Sequence, residues 1–208
     1  MAAMTSHRWV NLVDNRVADR PFISASVYRG FYAHQLEAIE ASWAKAIEKE
    51  AERAQVAGLN PLEHTHWDWR NKADSVETGR HMLVAVESDD DVQGLMAILR
   101  LPCPARLGDG SVIYVDYLET APWNLKNRSA RPRFLGVGTV LVSEAVRISV
   151  EEGFEGRVGL HSLPQAEASY LKCGMARLAE DPAYYDLAYF QYRGRDGIDW
   201  LNSIGEST

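Results

Sequence analysis

The feature that most limits how this chain can fold is a pair of glycines, Gly136 and Gly138, placed between a strand pattern and a helix pattern. Before them, residues 111–120 are rich in β-branched and aromatic side chains, which favour a strand. After them, residues 139–153 repeat apolar side chains at helical spacing, and residues 157–163 predict a second strand. Such a strand, helix and strand imply a parallel, right-handed crossover, with the glycine loop at the carboxyl end of a strand.

The rest of the chain predicts one long helix and further strands. A hairpin is expected around the acidic turn at residues 89–91. The other predicted elements are a helix over 32–57, the hairpin strands 81–88 and 92–102, a short helix over 165–173 and a closing strand over 185–193. An antiparallel hairpin beside a parallel crossover predicts a mixed sheet flanked by helices, an α/β chain in the α+β sense.

Length, composition and charge narrow the class of protein. The 208 residues suit a single domain, 1–208, and 46% apolar with 25% charged residues is ordinary for a globular protein. Neither a membrane-spanning run nor a secretory leader is visible, so cytoplasm is the default expectation. The formal charge of −7 argues against nucleic acid as a partner. The oligomeric state stays open, with a homodimer as the common default.

The positive charge that the chain does carry is concentrated before the two glycines. No acidic residue occurs from Thr120 to Ser143, and that stretch holds four cations, Lys126, Arg128, Arg131 and Arg133. A local positive island in an acidic protein indicates an anion site, although a solvated basic loop gives the same pattern.

Spacing decides which kind of phosphate loop the glycines could form. A dinucleotide fingerprint would need a third glycine where Leu141 stands, and a P-loop would need a lysine directly after Gly138. What remains is Arg133-x-x-Gly136-x-Gly138 at the start of a helix. Glycines let backbone amides face an anion there and the helix dipole adds partial positive charge, which suits a pyrophosphate.

This loop resembles the signature of the GNAT superfamily of acyl-CoA-dependent N-acyltransferases, Arg/Gln-x-x-Gly-x-Gly/Ala. Two neighbouring segments are similar to that family in the same register. VDYLETAPWN resembles its preceding strand through Leu118, Thr120 and Pro122, and QAEASYLKCGM resembles a later helix through Tyr170 and Lys172. The order of predicted elements from residue 32 to residue 193 also follows the family.

The resemblance implies acetyl-CoA as co-substrate, no metal, and a GNAT-like, mostly antiparallel sheet with one splayed parallel strand pair. It places the CoA pyrophosphate on Arg133 and on the loop Phe134, Leu135, Gly136, Val137, Gly138 and Thr139. The backbone near Leu118 and Thr120 would hold the pantetheine arm and the thioester carbonyl. The CoA-binding core would span about 81–193, after an acceptor-side helical part at about 30–75.

Acetyl transfer to an amine poses two proton-transfer problems, and the sequence offers candidates for both. The resemblance makes Tyr170 the acid for the departing sulfur, and a phenol is protonated at neutral pH. For the base, Glu119 and His161 both remain open, and a water chain serves equally well.

The segment HTHWDWRNK is the most distinctive feature on the acceptor side. Trp67, Asp68 and Trp69 could form an aromatic and acidic pocket for a cationic amine, while tryptophans that cap the core explain the same residues. His64 and His66 with Asp68 lack a fourth ligand nearby, so no metal is expected.

The functional hypothesis is an enzyme, an N-acetyltransferase that moves an acetyl group to a primary amine by direct attack. Its acceptor is a small-molecule or peptide amine whose identity is left open, and the acidic net charge mildly favours a cationic one. No membrane partner is expected. The alternative is a noncatalytic acyl-CoA-binding module with the same fold. An acetyltransferase toxin that acts on charged tRNA would need a broad basic surface, which the charge balance does not provide.

Overall fold

The structure, a computed structural model, describes residues 6–30, 33–56, 69, 72, 78–125 and 131–205. The strands of these residues are β1 (Ser6–Asp14), β2 (Phe22–Arg29), β3 (His81–Ser88), β4 (Asp91–Leu99), β5 (Cys103–Pro104), β6 (Ser111–Thr120), β7 (Phe134–Leu135), β8 (Val158–Ser162), β9 (Ala176–Asp181) and β10 (Leu187–Gln191). The helices are α1 (Ala33–Val56), α2 (Val137–Glu151), α3 (Glu167–Lys172) and α4 (Asp196–Ser203).

The chain divides into two compact units. The first comprises Met1–Met96 with Leu118–Val140, and the second Ala97–Tyr117 with Leu141–Thr208. In the first unit the strands follow the order β7-β1-β2-β3-β4, and β1 pairs antiparallel with both β7 and β2. Side chains of β1 alternate: Val10 and Leu12 are buried, whereas Trp9 and Asn11 are exposed. This alternation is typical of a strand with one face towards the core.

In the second unit the order is β6-β8-β10-β9, with β5 paired to β6. β8 and β10 pair antiparallel, as do β10 and β9. The exception is the parallel pair of β6 and β8, which matches Ile113 with Val158 and Val115 with Leu160. That pairing ends at Val115, although β6 continues to Thr120.

The structure confirms the mixed, mostly antiparallel sheet with one parallel strand pair and flanking helices. The predicted helix over 32–57 is α1, and the strands predicted at 81–88 and 111–120 have those bounds. The sequence interpretation missed β1, β2, β9 and α4, as well as the two-residue strands β5 and β7. β1 and β2 are rich in polar side chains, and β9 is half-buried or exposed along its length, so tertiary pairing rather than local pattern determines these strands.

Within the described residues, no helix combines the length and the apolar character that crossing a bilayer would require.

A close backbone approach joins α4 to the turn before β8. A Cβ atom at Gly197 would clash with the backbone carbonyl of Gly156, and one at Gly156 would lie 2.8 Å from a side-chain carbon of Ile198. Gly156 also has a φ of +80°, which disfavours any other residue. The two glycines therefore let α4 pack directly on the turn.

We predict that Gly197→Ala lowers the free energy of unfolding by about 2 kcal/mol or more, because the new methyl group meets backbone that cannot move aside. Gly153→Ala is the matched control: its φ is +78° and its Cβ would meet nothing within 4 Å. The free energy of unfolding of this control variant should fall by only about 1 kcal/mol, because of backbone strain alone. Urea denaturation of both variants checks the difference, and equal losses would contradict the packing argument.

Candidate functional site

The glycine loop forms an open helix N-terminus. Gly136 has a φ of +96°, a left-handed conformation that turns the chain from β7 into α2. The first helical hydrogen bond runs from the Val140 N–H to the Gly136 carbonyl at 2.9 Å. The N–H groups of residues 137–139 therefore have no partner within the helix. Because Gly136 and Thr139 are exposed, this N-terminus can receive an anion.

A buried amide network holds this loop in place. Gln93, 1% exposed, accepts hydrogen bonds through Oε1 from the Trp123 indole at 2.8 Å and from Asn124 Nδ2 at 3.0 Å. Asn124 in turn accepts the Phe134 N–H at 3.0 Å. The Phe134 amide is thus already bound within the protein, so the amides that can face a pyrophosphate are those that follow it.

The loop is also tied to the N-terminal strand. Asn15 donates its side-chain amide to the Pro132 carbonyl at 2.8 Å and its backbone N–H to the Arg133 carbonyl at 2.8 Å. Beyond them, β1 pairs with β7 through Val13 and Leu135. The loop is therefore fixed on one side by Asn124 and on the other by β1.

Two of the four cations of the positive island lie in the described residues. Arg131 and Arg133 are both exposed, and the Arg133 guanidinium lies 5.1 Å from the centre of the Trp123 ring. Lys126 and Arg128 fall outside the described residues. A third arginine, Arg16, stacks 4.6 Å from the centre of the Phe134 ring and pairs with aspartates of its own unit.

In the same unit, Glu119 lines a cavity of about 260 Å³ beside α1. The cavity is lined by Glu40, Trp43, Ala44, Ile47, Glu48, Trp69 and Glu119. Glu119 is 8% exposed and accepts a hydrogen bond from the Trp69 indole at 2.6 Å. Burial raises the pKa of Glu119 to about 7, and Glu40 adds to this, whereas the Trp69 hydrogen bond and Lys72 act in the opposite direction. The carboxyl can therefore gain and lose a proton near neutral pH.

The structure thus brings together two residues that the sequence nominated for different roles, Glu119 as a base and Trp69 as part of the acceptor pocket. Trp69 is 1% exposed, so it also belongs to the core. The other two residues of the predicted pocket, Trp67 and Asp68, lie outside the described residues. So do His64 and His66, and within the described ranges no group of three or more His, Cys, Asp or Glu side chains could hold a metal ion.

Leu118 and Thr120, the predicted pantetheine contacts, flank Glu119 at the end of β6. Both are half-buried. They follow the point at which β6 stops pairing with β8, at Val115. Beyond the end of that pairing, the backbone N–H and C=O groups on this edge of β6 can form hydrogen bonds with a ligand.

In the second unit, Tyr170 lies in α3 and is buried, with its ring centre 5.7 Å from that of Phe190. Burial raises the pKa of Tyr170 well above the ordinary value of a phenol. The hydroxyl is therefore protonated throughout the neutral range, as a proton donor must be.

His161, also in the second unit, is part of a polar and aromatic cluster. Its Nδ1 lies 2.6 Å from the Tyr114 hydroxyl, its Nε2 lies 3.2 Å from the Asp181 carboxylate, and its ring stacks on Tyr184. Burial lowers the pKa of His161, against the pull of Asp181. A neutral ring satisfies both neighbours when Nε2–H donates to Asp181 and Nδ1 accepts from Tyr114, so both nitrogens are already engaged.

Sequence reasoning missed two further groups of residues in the first unit: the glutamates of α1 that line the cavity, and the amide that holds the glycine loop. Glu40 and Glu48 were read only as the polar face of a helix, yet their spacing of eight residues puts them on one side of it. Gln93 gave a clearer signal, because a lone amide within the apolar strand VQGLMAIL must find hydrogen-bond partners when buried.

No protein-family model and no curated protein matches this chain. Solved structures do match, and they show that the chain has the fold of the GNAT acetyltransferases. The PaiA N-acetyltransferase from Thermoplasma acidophilum, in complex with coenzyme A, is 15% identical with a TM-score of 0.54, over 82% of this chain and 99% of that one. A GNAT-family acetyltransferase from Listeria monocytogenes is 12% identical with a TM-score of 0.52, over 82% and 95% of the two chains.

A further similar structure is that of a bacterial toxin, 13% identical with a TM-score of 0.51 over 67% of this chain and 81% of that one. At such identities the likeness is one of fold alone.

We predict that the free energy of unfolding depends on pH through Glu119. Its pKa is about 7 in the folded chain against the usual 4.5, so ionisation favours the unfolded chain. The stability that the protonated group provides is complete below about pH 4.5 and is lost as the pH rises through about 7. The loss should be on the order of 3 kcal/mol relative to Glu119→Gln. Urea denaturation of both proteins at several pH values measures it, and parallel pH curves would contradict the raised pKa.

Proposed function

We propose that the protein is an acetyl-CoA-dependent N-acetyltransferase that acetylates a primary amine. The observation that carries the proposal is the open N-terminus of α2, with Gly136 in a left-handed conformation and Arg133 exposed beside it, in a chain with the GNAT fold. The similar PaiA structure contains coenzyme A, which supports the same ligand class here. Cytoplasmic location and a homodimer remain predictions.

Acetyl-CoA would bind with its pyrophosphate on the amides of Gly136 to Thr139, where charge, dipole and open space coincide. Arg133 would pair with a phosphate, since a guanidinium matches phosphate oxygens well. The backbone at Leu118 and Thr120 would hold the pantetheine arm and the thioester carbonyl, as the resemblance implies.

The chemistry would begin with removal of a proton from the acceptor ammonium, and Glu119 is the base that the structure supports best. The neutral nitrogen attacks the thioester carbon, forming the C–N bond, and the tetrahedral intermediate then breaks its C–S bond. The departing sulfur takes a proton from Tyr170, and the acylated nitrogen gives up its second proton to solvent. Exchange with solvent then restores the proton of Tyr170 and removes the one held by Glu119. His161 and a water chain are the other candidates for the base. His161 is the weaker one because both of its nitrogens are engaged.

The alternative function is a noncatalytic module that binds acyl-CoA for regulation or interaction. It would bind CoA but release no thiol with any amine. A buried carboxyl whose pKa is about 7, on the wall of a cavity, favours catalysis because a binding module has no need of it.

The test of the proposal is acetyl-CoA with a library of primary amines, read by mass spectrometry and by release of free thiol. We predict turnover by the unmodified protein. In Arg133→Glu, kcat/KM for acetyl-CoA should fall at least about tenfold, and in Gly138→Asp it should fall further, because the new carboxylate repels the pyrophosphate. CoA binding without turnover across the library would favour the module.

Gly138→Ala makes the sharpest control for that test. A Cβ at Gly138 would meet nothing within 4 Å, so the protein itself has room for alanine. We predict an unchanged or slightly higher free energy of unfolding, since alanine suits a helix better, together with weaker binding of acetyl-CoA. Calorimetric titration with CoA beside urea denaturation checks both. Unchanged CoA affinity in Gly138→Ala and Gly138→Asp would exclude this loop as the CoA site.

We further predict that kcat/KM for the acceptor rises with pH to a plateau with an apparent pKa of about 7, because Glu119 must be ionised to accept the proton. Glu119→Gln should lower kcat by roughly 10²- to 10⁴-fold, the usual contribution of a general base. A pH–rate profile of both proteins measures this. An unaltered profile in the variant would assign the base to His161 or to water.

A further inference from the structure

The cavity beside Glu119 extends along α1 to a carboxylate that the proposed chemistry does not use. Glu40, Ala44 and Glu48 line it at intervals of four residues, so they occupy successive turns of one helix face. Eight residues correspond to about 12 Å along a helix axis. The cavity therefore has one acidic group beside Glu119 and another about two turns further away.

Burial of the lining residues changes along the cavity. Trp43 and Trp69 are 3% and 1% exposed, Glu40 is half-buried, and Glu48 is exposed. The indole N–H of Trp43 donates to the Val92 carbonyl at 3.3 Å, as that of Trp69 donates to Glu119. Both indoles have thus used their polar group within the protein and offer ring surface to a ligand. The lining therefore includes a buried carboxyl, Glu119, and an exposed one, Glu48.

The charges around the cavity favour a cation. Three carboxylates line it. Among the described residues, Lys72 is the cation whose charge lowers the pKa of Glu119, and its Nζ lies 5.6 Å from the centre of the Trp69 ring. Indole faces also attract cations, most strongly when the site is partly desolvated. An acceptor with a single ammonium group at Glu119 would leave the exposed carboxylate of Glu48 without a counter-charge from the ligand.

We propose that the acceptor amine carries a second positive charge, which binds Glu48 while the nitrogen to be acetylated lies at Glu119. A short apolar linker between the two charges would pack on Trp43 and Trp69. The volume of about 260 Å³ equals that of roughly nine liquid waters, enough for a short aliphatic diamine. This inference rests on the proposed acetyltransferase function, and it makes Glu48 the residue that selects a dication over a monocation.

The test compares 1,5-diaminopentane with pentylamine, which has the same carbon chain and one ammonium fewer. We expect a kcat/KM about two- to fivefold higher for the diamine in the unmodified protein, as one exposed ion pair would provide. In Glu48→Gln the two amines should react equally well. Glu37→Gln is the matched control, because Glu37 is likewise exposed on α1 but does not line the cavity, and this variant should keep the preference.

A binding measurement separates this inference from the proposed function. Calorimetric titration of the protein with 1,5-diaminopentane, without acetyl-CoA, should show binding that weakens in Glu48→Gln and persists in Glu37→Gln. If the diamine binds in this way but no acetyl transfer is found, the acidic cavity stands and the transferase fails. If pentylamine and the diamine are acetylated equally by the unmodified protein, the inference about the second charge is wrong and the transferase stands.

Discussion

The hydrogen bonds of one buried amide, Gln93, underlie the arrangement of the candidate CoA loop. A primary amide in an apolar strand costs free energy unless its donors and acceptor are all satisfied, and here the Ser88 carbonyl, the Trp123 indole and Asn124 satisfy them. Asn124 in turn fixes the start of the loop, because its side-chain oxygen accepts a hydrogen bond from the Phe134 N–H. The N–H groups of residues 137–139, at the start of α2, come next in the chain and have no partner within the helix.

The second constraint is the burial of Glu119. An ionised carboxylate with one indole donor is poorly compensated in a protein interior, so its proton is held until near neutral pH. The same burial that destabilises the folded chain at neutral pH makes the group a fitting proton acceptor, a common exchange of stability for function. Glu40 of α1 increases this effect, and together with Glu48 it gives the cavity lining a negative charge that would attract a cationic amine.

The sequence predicted some elements of the fold and of the candidate site correctly, and it gave no sign of others. The strand over 111–120, the glycine turn and the mixed sheet followed from local patterns, since apolar periodicity and glycine spacing are properties of contiguous residues. The partners of those segments were not local. β1 and β2 are half-exposed strands, and besides pairing with each other they pair with the distant strands β7 and β3. The Glu119 cavity joins residues 40–48, 69 and 119, which no short motif connects. Gln93 could have been noticed as a polar residue in an apolar run, but its partners could not have been named.

The link between Asn15 and Pro132, 117 positions apart, also has a consequence for how the chain folds. Contacts between residues so distant in sequence form slowly, because a long loop must close before they provide any stabilisation. β1 leaves the ribosome before β7 but can complete its pairing with β7 only after residue 135 has been synthesised. The candidate CoA loop is therefore among the last parts of its unit to become ordered, and loss of β1 would disturb that loop without removing any residue from it.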